Sequence, residues 1–516
     1  MPEPPTTVTR GPFPRGVNYS RPADEIRDDE LYEMQNCRLG NIGQVVKRSG
    51  STPLNATALN SGATVTACGK QRFSSSSQKT FAIIGNKFYE NVEAGTPDDR
   101  TNSKTITAAD DNTWETVNAG GTLVGHNGVS GDTIIKWAAS GNLATLDVDS
   151  RFTTSEHVEW FDRRAWWGNL SSGANRVWYS DADDIETYGA TSFQTFDYDV
   201  TGIKAMVGGI YVHTARTITI VTPTRDSSAP YRKTDIIIAE NNMGGSESGR
   251  AIVNVPGIGQ CFPRRDGIYA LTPGQELIKI SEKLDGSRFW NTINGDRLAY
   301  SFAEIYPLRG WVIFWLPYGA SQTNMNRPMI FDYRLSKIMG EWVWHGPDAN
   351  LTRNCGAVID GLPYFGGFDG FVYKHETGAF DNDGTSNNAY DAYFSTGMLP
   401  PSGYNDDCRW TKARVFYEVA GIHTVDVQET SPDIAARTQT MQLGGVYAGI
   451  GVDFAIGISP IAGNSEVAYA DMDLQGSSPF KQIKIRNANV SQAFTIRRIV
   501  KAFENVGAVR RQLSGR

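Results

Sequence analysis

The chain is poor in the residues and spacings that mark several protein classes. Its six histidines are His126, His157, His213, His345, His375 and His423. No two of them stand at the i,i+2 or i,i+4 spacing of a metal-binding pair, so they read as isolated residues. The five cysteines, Cys37, Cys68, Cys261, Cys355 and Cys408, form no CxxC and no even set of pairs. They are expected as buried free thiols in a reducing compartment. No apolar run approaches the ~20 residues that a membrane-spanning helix needs. The opening MPEPPTTVTRGPFPRG has no apolar signal-peptide core. The expectation is a chain without a membrane anchor that is not exported, so the sequons at Asn18, Asn55, Asn169, Asn350 and Asn489 carry little weight. A P-loop and a GxSxG elbow are both missing. Positive charge is not in excess: 49 Lys and Arg stand against 56 Asp and Glu, a net charge of −7. This argues against a protein that grips nucleic acid with a broad basic surface. It leaves open a wall along which DNA slides, since a mildly acidic wall repels phosphates. Helix-forming stretches rich in Leu, Ala and Glu are nearly absent.

Aromatics and turn residues are plentiful instead. There are 12 Trp and 21 Tyr, which suit strands. The 53 glycines among 516 residues exceed the usual share of about 7%. From Arg265 to His375 the chain reads as short aromatic or β-branched runs bounded by Gly, Pro, Asp and Asn, the pattern of short antiparallel strands. Asp266-Gly267-Ile268-Tyr269 returns as Asp360-Gly361-Leu362-Pro363-Tyr364 and as Asp369-Gly370-Phe371-Val372-Tyr373. A reused hairpin points to a repeat architecture, most economically a β-propeller. Six or seven units at roughly 40–50-residue spacing follow one another between residue 64 and about 375. The polar segment from Thr96 to Thr113 reads as an inserted loop. Residues 376–408 break the pattern and hold a domain boundary. Beyond them, RWTKARVFYEV, HTVDVQE, TQTMQLGG, VDFAIGIS, FKQIKIRNA and FTIRRIVKAFE alternate as half-exposed antiparallel strands, which fits a β-sandwich. The fold class is therefore all-β: a propeller of about six to seven blades with a C-terminal β-sandwich. The division read from sequence is 1–50, an N-terminal arm and first strands; 51–380, the propeller; and 381–516, the sandwich with a basic, mobile tail. Within the arm, residues 1–15 read as extended or disordered. A short helix is expected over Asp24 to Met34, capped by Asp28 or Asp29, then two strands around a Gly-Asn turn.

No residue rises to a catalytic, cofactor or metal assignment. The run Thr107 to Trp114 keeps only Thr113-Trp114 of a sialidase Asp box. Asp181, Asp183 and Asp184, and likewise Asp381 and Asp383, read as solvated Asx-type turns rather than an acid–base pair or a calcium loop. Asp181, Asp183 and Asp184 followed by Glu186 do not match the alternating ligands of an EF-hand. Trp160, Trp166, Trp167 and Trp178 could stack a sugar or a base, but blade-core packing is favoured. The same holds for Trp311 with Trp315 and Trp342 with Trp344. The doublets Arg163-Arg164, Arg264-Arg265, Arg497-Arg498 and Arg510-Arg511 read as solvated or as subunit contacts.

Several pieces, in order, resemble the propeller-bearing nozzle or hub proteins of short-tailed bacteriophages. The opening GVNYSRPADEIRDDELYEMQNCRL…GQVVKRSG resembles the family's start, with Arg48-Ser49-Gly50 in place of the commoner Arg-Pro-Gly. RVWYSDADDIETY, RDGIYALTPGQELIKISEKL, MIFDYRLSKIMGEWVW and GGFDGFVYKHETGAFDNDG resemble its blade strands, and RWTKARVFYEV the first strand of its outer domain. The similarity runs over most of residues 15–500. Stabilisation and head-closure proteins beneath the portal share this look. The resemblance implies a non-enzymatic virion protein made in the host cytoplasm and placed in the tail. It implies a homo-oligomer, a six-copy ring around the DNA channel that serves genome ejection. The implied partners are a portal-side adaptor ring, tail fibres or tip proteins, and viral DNA in transit. It implies no cofactor. A carbohydrate-binding or depolymerising propeller at the tail tip is the other class that the residues leave open.

Overall fold

The computed structural model describes residues 6–508 except 139–140, 149–152, 225, 227–228, 237–243, 385, 399, 402–405, 419–422, 433, 445–466 and 491. The expected strand VDFAIGIS, the doublet Arg510-Arg511 and the basic tail lie outside the described residues.

Short strands and tight turns give seven four-stranded antiparallel units. The first is Val65–Arg72, Gln78–Ile84, Lys87–Glu90 and Asp98–Asp99. The others begin at Glu115–Ala119, Ser155–Phe161, Val200–Met206, Val253–Val255, Phe302–Tyr306 and Cys355–Ile359. Successive first strands lie side by side around an axis, and that of the seventh blade returns against that of the first. The chain is a seven-bladed β-propeller. Its ring is closed by Ser51–Pro53, which precedes the first blade yet forms the fourth strand of the last, with Thr52 opposite Lys374. Asp381–Asn382 and Asn387–Asn388 extend the same sheet.

Each blade buries its faces against its neighbours. Between the first two blades Phe81 and Phe88 stack, and Trp137 meets them edge-on with its ring centre 6.3 and 5.0 Å from theirs. Such contacts add to area burial, which dominates the stabilisation of this interior. The core between blades five and six is continuous with that of the sandwich: Phe314 and Phe331 belong to one cluster with Met34, Phe394 and Trp410.

The sandwich is made from both ends of the chain. One sheet has the order Cys37–Leu39, Val45–Lys47, Thr495–Ala508, Asp406–Glu418, Val467–Asp473, with Thr6–Arg10 paired to Thr495–Ala508. The other runs Leu31–Gln35, Ala392–Thr396, Gln482–Asn487, His423–Ser431, Ile434–Leu443. The separate N-terminal arm expected over 1–50 is thus integral to the sandwich from Thr6 onward, because its strands bury Leu31, Met34, Cys37 and Leu39 in that core. The expected helix over Asp24 to Met34 is a 3-10 turn at Ala23–Glu25 followed by a strand. Leu31 and Met34 have helical spacing, but a bulge between Leu31 and Glu33 brings both onto the buried face of a strand.

Candidate functional site

In an antiparallel blade the first strand starts on one face of the disc and ends on the other. Connections entering first strands and those between second and third strands share the entry face. Connections between first and second, and third and fourth, share the exit face. The seven first strands surround an axial cavity of 350 Å³. Glu115, Lys204, Arg250 and Glu304 project charge into it. Lys204 Nζ lies 3.2 Å from Glu159, and that carboxylate raises its pKa against the effect of burial. Burial pushes the Glu304 carboxyl up to about 7, with Lys204 acting in the opposite direction. The cavity is far too small for a DNA duplex, whose major groove alone is about 12 Å wide.

The cavity opens on the entry face into a mouth of 430 Å³. There His157 Nδ1 lies 3.0 Å from Glu115 Oε1, on the first strands of adjacent blades. Burial lowers the His157 pKa, but Glu115 overcomes this and raises it above the ordinary value. The Val200 backbone adds to this rise. A Cβ on Gly249 would stand 2.7 Å from His157 Nδ1, so this position needs glycine. Glu156, Asp199, Glu247 and Arg250 complete the rim. The arrangement offers an imidazole–carboxylate pair and several acceptors to a polar ligand.

Sequence spacing did not reveal this pair, since 42 residues separate its members. A signal was present in the repeat Ser155-Glu156-His157 and Ser246-Glu247-Ser248. Each leading serine donates its Oγ to the carbonyl two residues on, at 2.9 and 2.7 Å, and each marks the approach to a first strand. Several histidines make hydrogen bonds or ion contacts within the fold. His126 Nδ1 accepts the Ser155 amide at 3.3 Å and the Gly128 amide at 2.9 Å. His213 Nδ1 accepts the Ser246 amide at 3.1 Å. His345 Nε2 lies 3.2 Å from Asp332, which caps the helix Tyr333–Met339 through the Leu335 amide.

The residues weighed from sequence fall mostly to structural roles. Asp183 pairs with Arg163, Asp184 accepts the Glu186 amide, and Glu186 holds Lys136. Asp383 accepts the Ser386 amide, as in an Asx turn. Asp381 pairs with Arg48 and is no solvated turn. Trp166, Trp167, Trp178, Trp311, Trp315 and Trp344 are buried, with Trp160 and Trp342 partly so. Arg264 packs over Tyr269, and Arg265 faces Asp296. Arg497 pairs with Glu418, while Arg498 lies over Phe416. All five cysteines are buried, and none is assigned to a disulfide. Among the described residues no cluster of three or more His, Cys, Asp or Glu suits a metal ion, and no helix is long and apolar enough to cross a membrane.

No family model and no curated protein matches this chain. Among solved structures it is similar to PorZ, a bacterial surface component of the type-IX secretion system of Porphyromonas gingivalis, at 14% identity and TM-score 0.38, over 70% of this chain and 44% of that one. It thus spans less than half of PorZ. It is also similar to YCF48 from Cyanidioschyzon merolae, at 9% identity and TM-score 0.39, over 64% and 99% of the two chains. A third is an exo-β-1,3-galactanase from Phanerochaete chrysosporium, at 9% identity and TM-score 0.24, over 88% and 100%. These are likenesses of fold alone, and they include an enzyme beside proteins of other kinds.

Proposed function

We propose that this chain is a non-enzymatic structural subunit of a short-tailed phage virion, a nozzle or hub. Its copies form a homo-oligomeric ring, six-fold by family resemblance, and the genome passes through the centre of that ring during ejection. One observation carries the reading. Propeller and sandwich are joined by a buried ionic cluster, so that each copy is a stiff block. Arg38 grips Asp348 with two bonds of 2.7 Å and Glu376 with one of 2.8 Å. Arg48 holds Asp381 and lies 3.9 Å over the Tyr390 ring. A subunit that carries load between a portal-side ring and distal fibres or tip proteins needs that stiffness. The axial cavity does not admit a duplex, so DNA runs between copies and not through a blade ring. The same block would serve a head-closure ring beneath the portal.

The polar mouth with its His157–Glu115 pair favours a second reading, a carbohydrate-binding or depolymerising tip. Antibody-gold labelling of intact virions in the electron microscope separates the positions. Gold at the distal tail supports the nozzle, and gold at the neck moves it to head closure. Unlabelled virions, with an antibody proven on the free chain, would sink both. Depolymerisation of host capsular polysaccharide by the purified chain would favour the second reading.

A further inference from the structure

The faces of the propeller carry unlike, complementary features. On the exit face the turn Pro256-Gly257-Ile258 of blade five and the segment 333–342 of blade six enclose a groove of 710 Å³. That is within the size range of sites that take drug-sized ligands. Its walls include Ile258, Tyr333 and Trp342, and Ile338 stands 68% exposed at its edge. Three ionisable groups set its charge. Glu341 is already taken by Lys283 at 2.8 Å and Arg15 at 2.7 Å. Arg334 and Lys337 form no ion pair among the described residues, and Arg334 Nε is buried without a hydrogen bond. The groove is apolar with two uncompensated cations.

On the entry face, the link between blades three and four presents Asp197-Tyr198-Asp199. Both aspartates are exposed, and Tyr198 is exposed despite its size. Arg216 lies 5.3 Å over the Tyr198 ring, which leaves this tip with an excess of one negative charge. An aromatic flanked by carboxylates is the chemistry that an apolar groove with free guanidinium and ammonium groups accepts.

We propose that the Asp197-Tyr198-Asp199 tip of one copy seats in the Arg334/Lys337 groove of the next. This rests on the ring reading above and names its contact. Tip and groove lie on opposite faces, so the contact is heterologous, which closes into a ring or runs on as a filament. Exit face against exit face would instead set Arg334 and Lys337 against their own copies, a like-charge juxtaposition.

The test uses the full-length chain and two variants, a groove variant R334E/K337E and a tip variant D197N/Y198A/D199N. Unchanged circular dichroism and melting confirm that both fold. Sedimentation velocity is expected to show assembly of the wild type, and association weakened about 100-fold or more in each variant alone. An equimolar mixture is expected to stop at a heterodimer, because only one intact tip and one intact groove remain. Wild-type-like assembly of either variant overturns this contact and leaves the ring reading standing. So does a mixture that forms larger species. A wild type that stays monomeric up to about 100 µM also overturns the contact. The gold labelling above then decides the virion reading separately.

Discussion

Arg38, on a sandwich strand, and Asp348, in the link between blades six and seven, face each other through two parallel hydrogen bonds of 2.7 Å. Both side chains are almost fully buried, at 7% and 2% exposure. Burial opposes the charge on Arg38, yet Asp348 and Glu376 hold its pKa above the ordinary guanidinium value. Removing one partner strands the other charge away from water, which costs about 3–5 kcal/mol. Arg38→Leu is therefore expected to loosen the sandwich from the blades. In scanning calorimetry the wild type is expected to melt in one transition, which should split, or shift down as a whole, in the variant. A melt within error of the wild type would show that the pair does not join the two parts.

The buried histidines are expected to make the propeller acid-sensitive. Burial lowers the pKa of His213 to about 4, with the Gln260 hydrogen bond opposing it. Burial likewise lowers His126, His345 and His375. Each ring is neutral in the fold and takes a proton more readily when unfolded. Stability is thus intact above the unfolded value near 6.5 and falls with pH down to the folded value. For His213 the loss is on the order of 3 kcal/mol by pH 4. Melting temperatures should drop steeply between pH 6.5 and 4, and His213→Gln should flatten part of that slope. An equally steep slope in the variant would remove His213 as a contributor.

The thiols are expected to stay silent in the folded chain. Cys68 and Cys355 approach to 4.0 Å across the seam between blades one and seven, and both are buried. The Cys355 hydrogen bond and burial raise the Cys68 pKa, and burial raises those of Cys37 and Cys261. A thiol reagent should label the native protein negligibly and all five cysteines after denaturation. Rapid labelling of Cys68 or Cys355 before unfolding would show that the seam opens.

Local pattern made the propeller legible, because hairpin chemistry acts within a few residues. Asp266-Gly267, Asp360-Gly361 and Asp369-Gly370 do lie at strand connections. They are not one hairpin reused, however. Asp360-Gly361 joins a first strand to a second, whereas the other two join second to third strands. Asp-Gly reports a tight turn and not its place in a blade. What sequence hid was long-range closure. Ser51–Pro53 joins the last blade, and Thr6–Arg10 pairs with Thr495–Ala508, through contacts that no local spacing records. The His157–Glu115 pair was hidden for the same reason. Each residue is ordinary in its own strand, and only the ring of blades brings them to 3.0 Å.

Glu304 tests how far the polar axial cavity solvates a charge placed in it. Its carboxyl faces Lys204 across the cavity, without an ion pair of its own among the described residues, and burial moves its pKa up to about 7 from 4.5. A raised carboxyl pKa means that the folded state binds a proton which the unfolded state has released. Between pH 4.5 and 7 this costs stability progressively, and above 7 the cost is constant. Glu304 is partly exposed to the cavity, so a penalty of about 1–3 kcal/mol is expected after allowance for water in it. Glu304→Gln keeps the shape of the neutral acid and cannot ionise. It should melt with the wild type at pH 4 and above it at pH 8. Equal melting at both values would mean that water or an ion in the channel already solvates the carboxylate. A variant less stable at pH 8 would mean that Lys204 depends on Glu304 as well as on Glu159.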